Sequence, residues 1–170
     1  IYLASLFASR ELGFKDAELI VTILLLQLVA IPGALLFARI SKLKGNKFSL
    51  LVQLVIWVII CAGAFATTSK WEFFSIAGLV GLVLGGIQSL SRSTYAKLLE
   101  DRDDDPTSFF SFYDVLSKIA IVSGTFIFGL VNSITGSMRY SVLVLAVFFV
   151  IGFMLLTTVN KRRINTEVIV

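Results

Sequence analysis

Apolar residues run along this chain in blocks of about twenty, separated by short charged stretches, which is the spacing that predicts helices crossing a bilayer. Five complete spans are expected: Glu18 to Ile40, Phe48 to Thr68, Phe73 to Ser91, Phe109 to Ser133 and Ser141 to Val159. At 1.5 Å per residue each reaches about 28 Å or more, enough to cross the hydrocarbon core. The opening stretch, residues 1–9, is equally apolar but covers only about 14 Å as a helix. It lacks an initiating Met, a basic flank and a cleavage pattern, so it reads as the tail of a truncated sixth span rather than as a signal peptide. The expected fold class is an all-α, polytopic transmembrane helix bundle.

Composition supports that solvent. Of 170 residues, 57% are hydrophobic and 15% charged, and the mean hydropathy is +0.93. Soluble domains hold about 45–50% apolar and about 25% charged residues. A water-soluble enzyme is excluded on these grounds. There is no histidine, which removes His-type metal sites and Ser-His or Cys-His nucleophiles. The single cysteine, Cys61, lies in an apolar run and reads as a small core hydrophobe. No nucleotide-binding or hydrolase motif is found, so no enzyme activity, metal or cofactor is expected.

The net charge of +4 sits at the ends of the apolar blocks, where it orients a membrane chain and does not form a nucleic-acid surface. One side collects Arg39, Lys42, Lys44, Lys47, Arg92, Lys97, Arg102, Lys161, Arg162 and Arg163; the other holds Arg10, Lys15, Lys70 and Arg139. That excess predicts a cytoplasmic C-terminus, with the plasma membrane as the expected location. Trp71 and Tyr140 fall at the opposite, outer ends of their spans, where amphipathic rings anchor.

The spans differ in polarity. Residues 48–68 carry one strongly polar side chain, Gln53, and residues 141–159 carry no charge, so both are expected to face lipid. Residues 109–133 instead carry Asp114, Ser117, Lys118, Ile121, Thr125 and Asn132 along one helical stripe, beside Tyr113. A charge at mid-bilayer costs about 2.5 to 3.5 kcal/mol even on insertion scales. Asp114 lies four residues before Lys118, so an ion pair between them is expected, either beside a solute or ion pathway or as an internal packing device. In residues 73–91, Gly78, Gly81 and Gly85 line one face, and Gly81 with Gly85 forms a GxxxG pair suited to close helix packing. Gln88, Ser89 and Arg92 continue that face; Arg92 can snorkel to headgroups or meet substrate. Gln27 lies mid-span ahead of Pro32-Gly33, where a kink is expected. Arg39 to Lys47 reads as a compact basic turn, and the acidic run Glu100 to Asp105 as a solvated loop or a gate latch; Thr107 or Ser108 reads as the following helix cap.

The run from Gly85-Gly86-Ile87-Gln88-Ser89-Leu90-Ser91-Arg92 through Leu98, with Phe109 to Lys118, Phe128-Gly129 and Thr135-Gly136-Ser137-Met138-Arg139, resembles the C-terminal half of the vacuole-effluxer-like branch of the major facilitator superfamily. The strong similarity covers roughly residues 85–159. That resemblance implies a twelve-helix secondary carrier made of two six-helix halves, with a missing N-terminal half as partner and amino-acid export proposed for fungal relatives. It adds Gly86 and Gly129 to the packing glycines, and makes the polar stripes the lining of a central cavity for a small polar solute, with a coupling proton or cation a further partner. The facilitator loop motif is partial: Gly33, Gly45 and Lys47 are recognisable, the Asp-Arg pair is missing, and Asn46 interrupts the basic doublet. Glu100 stands where proline is expected, Ser111 where glycine is usual, and Thr125 where proline often follows Gly124. The rival expectations are a noncatalytic scaffold subunit that binds partner helices through its glycine faces and, more weakly, an intramembrane enzyme.

Overall fold

In the computed structural model, residues 2–99 and 106–159 are described. They form six helices: α1 (Tyr2–Leu12), α2 (Asp16–Lys44), α3 (Asn46–Ala66), α4 (Lys70–Leu99), α5 (Pro106–Thr135) and α6 (Met138–Thr158). All except α1 are long and apolar enough to cross a membrane. Consecutive helices are antiparallel, so the basic residues gather at one end of the bundle, here the basic end.

Several helices outrun the apolar blocks that predict them. α4 continues from Ser91 to Leu99, and at 30 residues it is about 45 Å long, well beyond a hydrocarbon core. No Gly or Pro follows Gly86 in that helix, so nothing in the backbone stops it at the membrane boundary. α5 starts with Pro106 in the first position, where the missing N–H is harmless, so Thr107 and Ser108 lie inside the first turn and neither is the cap. Residues 100–105 and 160–170, including the acidic run, Arg102 and the basic tail, lie outside the described residues. α2 stays helical through Pro32. The basic turn is a single residue, Gly45, with φ 89° and ψ 156°, a backbone state open essentially only to glycine.

The core depends on close approach of α2 and α4, which run in the same direction. A Cβ added to Gly81 would fall 2.5 Å from the Leu26 carbonyl oxygen; one on Gly85 would collide with Ala30 backbone, and one on Gly33 with Leu82 backbone. Gly86 is filled on one side by Phe37 and Gln53 side chains. Around Gly78 and Gly129 a Cβ would meet nothing within 4 Å, so these two are not close-packing positions in the described residues. α3 packs one face against α2, α4 and α6, burying Ser49, Gln53, Ile60 and Cys61, and leaves Phe48, Val55 and Ile59 exposed on the other. α6 leaves Val147, Ile151, Met154 and Leu155 exposed.

Near the opposite end, α1, α3, α4 and α6 line a partly open apolar pocket of about 240 Å³, with Leu26 of α2 and Phe128 of α5 also in its wall.

Candidate functional site

α5 carries the polar stripe and is also the barest span. Phe128 is its one buried residue among those with described side chains; Phe112, Ile119, Ile121, Val122, Phe126 and Ile134 are all more than half exposed. α5 packs on α6, whereas its meeting with α4 is made by side chains at the basic end. There Arg92 donates from Nη2 to Oδ1 of Asp114 at 3.0 Å, Ser91 Oγ and Tyr113 Oη share a hydrogen bond of 2.8 Å, and Tyr95 Oη donates to the Phe109 carbonyl at 3.0 Å. The Tyr95 and Tyr113 rings lie 5.0 Å apart. The register follows from the helix ends: Arg92 stands seven residues before the end of α4 and Asp114 eight after the start of α5, so they face each other at one height of an antiparallel hairpin.

This corrects the expected Asp114–Lys118 pair. Extension of α4 past Ser91 brings a guanidinium on ordered helix to the level of Asp114, and its planar donors suit a carboxylate better than a flexible ammonium. The Arg92–Asp114 bridge is open to its surroundings, with the two side chains 66% and 53% exposed. Lys118, one turn deeper, is exposed and has no ion pair among the described residues. The same register sets Gln88, also exposed, at the height of Lys118. Gln27 is exposed on α2, and Asn132 is half-buried near the far end of α5; neither joins the Arg92–Asp114 group.

A second polar constellation went unread in the sequence. Asn46, at the start of α3, donates from Nδ2 to Thr94 Oγ1 of α4 at 3.0 Å and accepts a hydrogen bond from Ser41 Oγ of α2. Ser49 Oγ donates to the Phe37 carbonyl at 3.1 Å, and Gln53 Nε2 to the Ser49 carbonyl at 3.1 Å. All five side chains are buried, so the residue that interrupts the basic doublet ties three helices together. The signal was present: Asn46, Ser49 and Gln53 recur at helical spacing on one face. Next to them Lys47 donates from Nζ to the Thr157 carbonyl at 2.8 Å and to that of Val159, satisfying the C-terminus of α6.

The opposite end is tied by carboxylates that the sequence reading also passed over. Glu11 Oε1 accepts from the Met138 backbone N–H at 2.8 Å, and Oε2 lies 3.5 Å from Arg139 Nε, while Arg139 Nη1 donates to the Phe65 carbonyl at 2.9 Å. Glu18 pairs with Lys70 at 2.8 Å. The two ends thus differ: carboxylate clamps on one, a buried amide and hydroxyl knot beside an exposed ion pair on the other.

A polytopic helical bundle with one glycine-sealed seam and one open polar seam defines a membrane protein of the multi-pass class. The sequence model of the family described as "Vacuole effluxer Atg22 like" matches residues 1–168, and the chain belongs to that family. Among curated proteins it is 32% identical over 158 residues to the uncharacterized MFS-type transporter YxiO of Bacillus subtilis (strain 168), covering 93% of this chain and 36% of that protein. Autophagy-related protein 22 of Cryptococcus neoformans var. neoformans serotype D (strain B-3501A) is 31% identical over 184 residues, covering 99% of this chain and 33% of its own length. Its counterpart in Saccharomyces cerevisiae (strain YJM789) is 25% identical over 175 residues, 96% of this chain and 33% of that protein. The chain therefore spans about a third of the length of these relatives. No solved structure matches it.

Proposed function

We propose that this chain is the C-terminal half of a secondary transporter that moves a small polar solute, an amino acid being the first candidate, by rocking against an N-terminal half in an alternating-access cycle. The observation that carries this reading is the exposed polar face shared by α4 and α5 in a chain whose other spans are apolar. Arg92 and Asp114 hold each other across that face, and Gln88 and Lys118 stand one turn deeper. Charges at that depth persist only beside water, solute or protein. Two of them joined by an open, single hydrogen bond make a contact that a solute or a moving helix can replace. The matched Bacillus subtilis relative adds the transporter class by name. Against the scaffold alternative stands the occupation of Gly81 and Gly85 by α2, which leaves that pair no room for a partner helix. A plasma-membrane location with the basic end in the cytoplasm completes the proposal.

The test is solute flux in the full-length protein reconstituted into vesicles. Asp114→Asn and Arg92→Gln are each expected to abolish uptake or efflux of the transported amino acid while leaving a monodisperse, folded protein. Wild-type flux in both variants overturns the assignment of this face.

A further inference from the structure

Among the described residues, Lys118 is the charged side chain that stands furthest from either end of the bundle. It lies twelve residues into α5, about 18 Å along the helix from its basic-end start. No Asp, Glu, Lys or Arg occurs at residues 19–38, 48–69, 73–91, 119–138 or 140–159, so no other charge of the described spans shares its depth. Asp114, one turn nearer the basic end, is held by Arg92 and makes no ion pair with Lys118. The charges on the face shared by α4 and α5 therefore do not cancel: Arg92 and Asp114 balance each other, and exposed Lys118 leaves one positive charge over. Gln88, at the same height on α4 and likewise exposed, adds a neutral amide donor. An ammonium and an amide N–H on two helices can meet the two oxygens of one carboxylate, and donation to a charged acceptor is the stronger kind of hydrogen bond.

Resting on the transport reading, we infer that the solute carries a carboxylate and one net negative charge, with Lys118 and Gln88 as its specificity-determining contacts. Alternating access encloses the solute between the halves, and an uncompensated charge is costly in a dry site. An anion cancels the surplus of this face on enclosure, whereas a zwitterion of no net charge leaves it standing. Two kinds of solute share this chemistry, an acidic amino acid and a simple monocarboxylate. The bridge to Arg92 is made by Oδ1 of Asp114, which leaves Oδ2 to accept from the ammonium that only the first kind carries.

Titration calorimetry on the full-length protein in lipid nanodiscs, with L-glutamate, L-lactate and L-leucine as ligands, decides the matter. At least one of the two anions is expected to bind about tenfold or more tightly than leucine, the size of one charge-assisted hydrogen bond. Lys118→Gln is expected to cancel that preference by weakening anion binding about tenfold, and Lys118→Arg, which keeps the charge, to retain it. Glutamate above lactate identifies an acidic amino acid as the class and the reverse order a monocarboxylate; either supports the inference. Leucine binding as tightly as both anions, binding of neither anion, or an undiminished anion preference in Lys118→Gln overturns it. The transport reading fails or stands apart from this: flux lost in Asp114→Asn, with the anion preference intact in Lys118→Gln, upholds that reading and assigns the balancing of Lys118 to the other half.

Discussion

α4 shows two different seams to its neighbours. Towards α2 it offers Gly81 and Gly85, so close that a Cβ on either would strike backbone, and Gly33 of α2 returns the same contact. Towards α5 it offers Ser91, Arg92 and Tyr95, whose reach spans a gap that the backbones leave open. Without a hydrophobic drive between helices in lipid, the first seam is held by dense van der Waals contact, which exists only at close range. The second is held by exposed polar bonds, each worth little in a hydrated setting. The α2–α4 seam therefore behaves as a rigid body, and the α4–α5 seam is where rearrangement is inexpensive.

The sharpest way to break this contrast is to add volume to the closed seam. Gly85→Leu places a side chain into the Ala30 backbone, and Gly33→Leu does so into that of Leu82. Each is expected to lower stability by more than about 3 kcal/mol, beyond ordinary overpacking because backbone cannot step aside. Loss of the monodisperse peak in detergent chromatography checks it. A stable Gly85→Leu protein with wild-type flux would show that the seam is not closed.

Next in size are changes to the knot that fastens the basic end of the closed seam. Asn46→Leu leaves the hydroxyls of Ser41 and Thr94 buried without their shared partner, expected to cost about 1 to 3 kcal/mol. Gly45→Ala forces an alanine into a backbone state at φ 89° and ψ 156°, with an expected loss of about 1 to 3 kcal/mol. Thermal melts of the purified full-length variants measure both. Lys47→Ala, which strips the cap from α6, is expected to lower stability by about 0.3 to 1 kcal/mol in the same assay.

These two seams were unequally legible in the sequence. Bilayer thickness imposes a length on apolar blocks, so the spans were plain, and GxxxG spacing marked Gly81 and Gly85 because close approach demands small residues at every fourth position. Gly78 continued the same pattern yet meets no neighbour, since spacing shows a face and not what lies across from it. The partner of Asp114 was hidden for a related reason. Lys118 is near in sequence, but Arg92 is near in space only because α4 runs on to Leu99, and polar residues beyond the membrane edge give no hydropathy signal for that extension. Asn46 interrupted a motif and so looked like a defect; its burial depends on three helix ends converging on it, which local pattern cannot report.

The smallest expected stability effect belongs to the open seam, and it carries the most functional weight. In a double-mutant cycle with Arg92→Gln and Asp114→Asn, the coupling in unfolding free energy is expected to fall between about 0 and 1 kcal/mol, because both side chains are more than half exposed and the bridge is a single 3.0 Å bond. Under the proposed transport role flux should behave differently: either single change abolishes it, and the double variant does not recover it, since neutralising both ends removes both charges from the exposed face. A coupling above about 2 kcal/mol would mean a desolvated, locked pair, and α4 with α5 would then move as one body with the closed seam. Small coupling together with lost flux would place a mobile contact at Arg92 and Asp114, set against the close glycine contacts between α2 and α4.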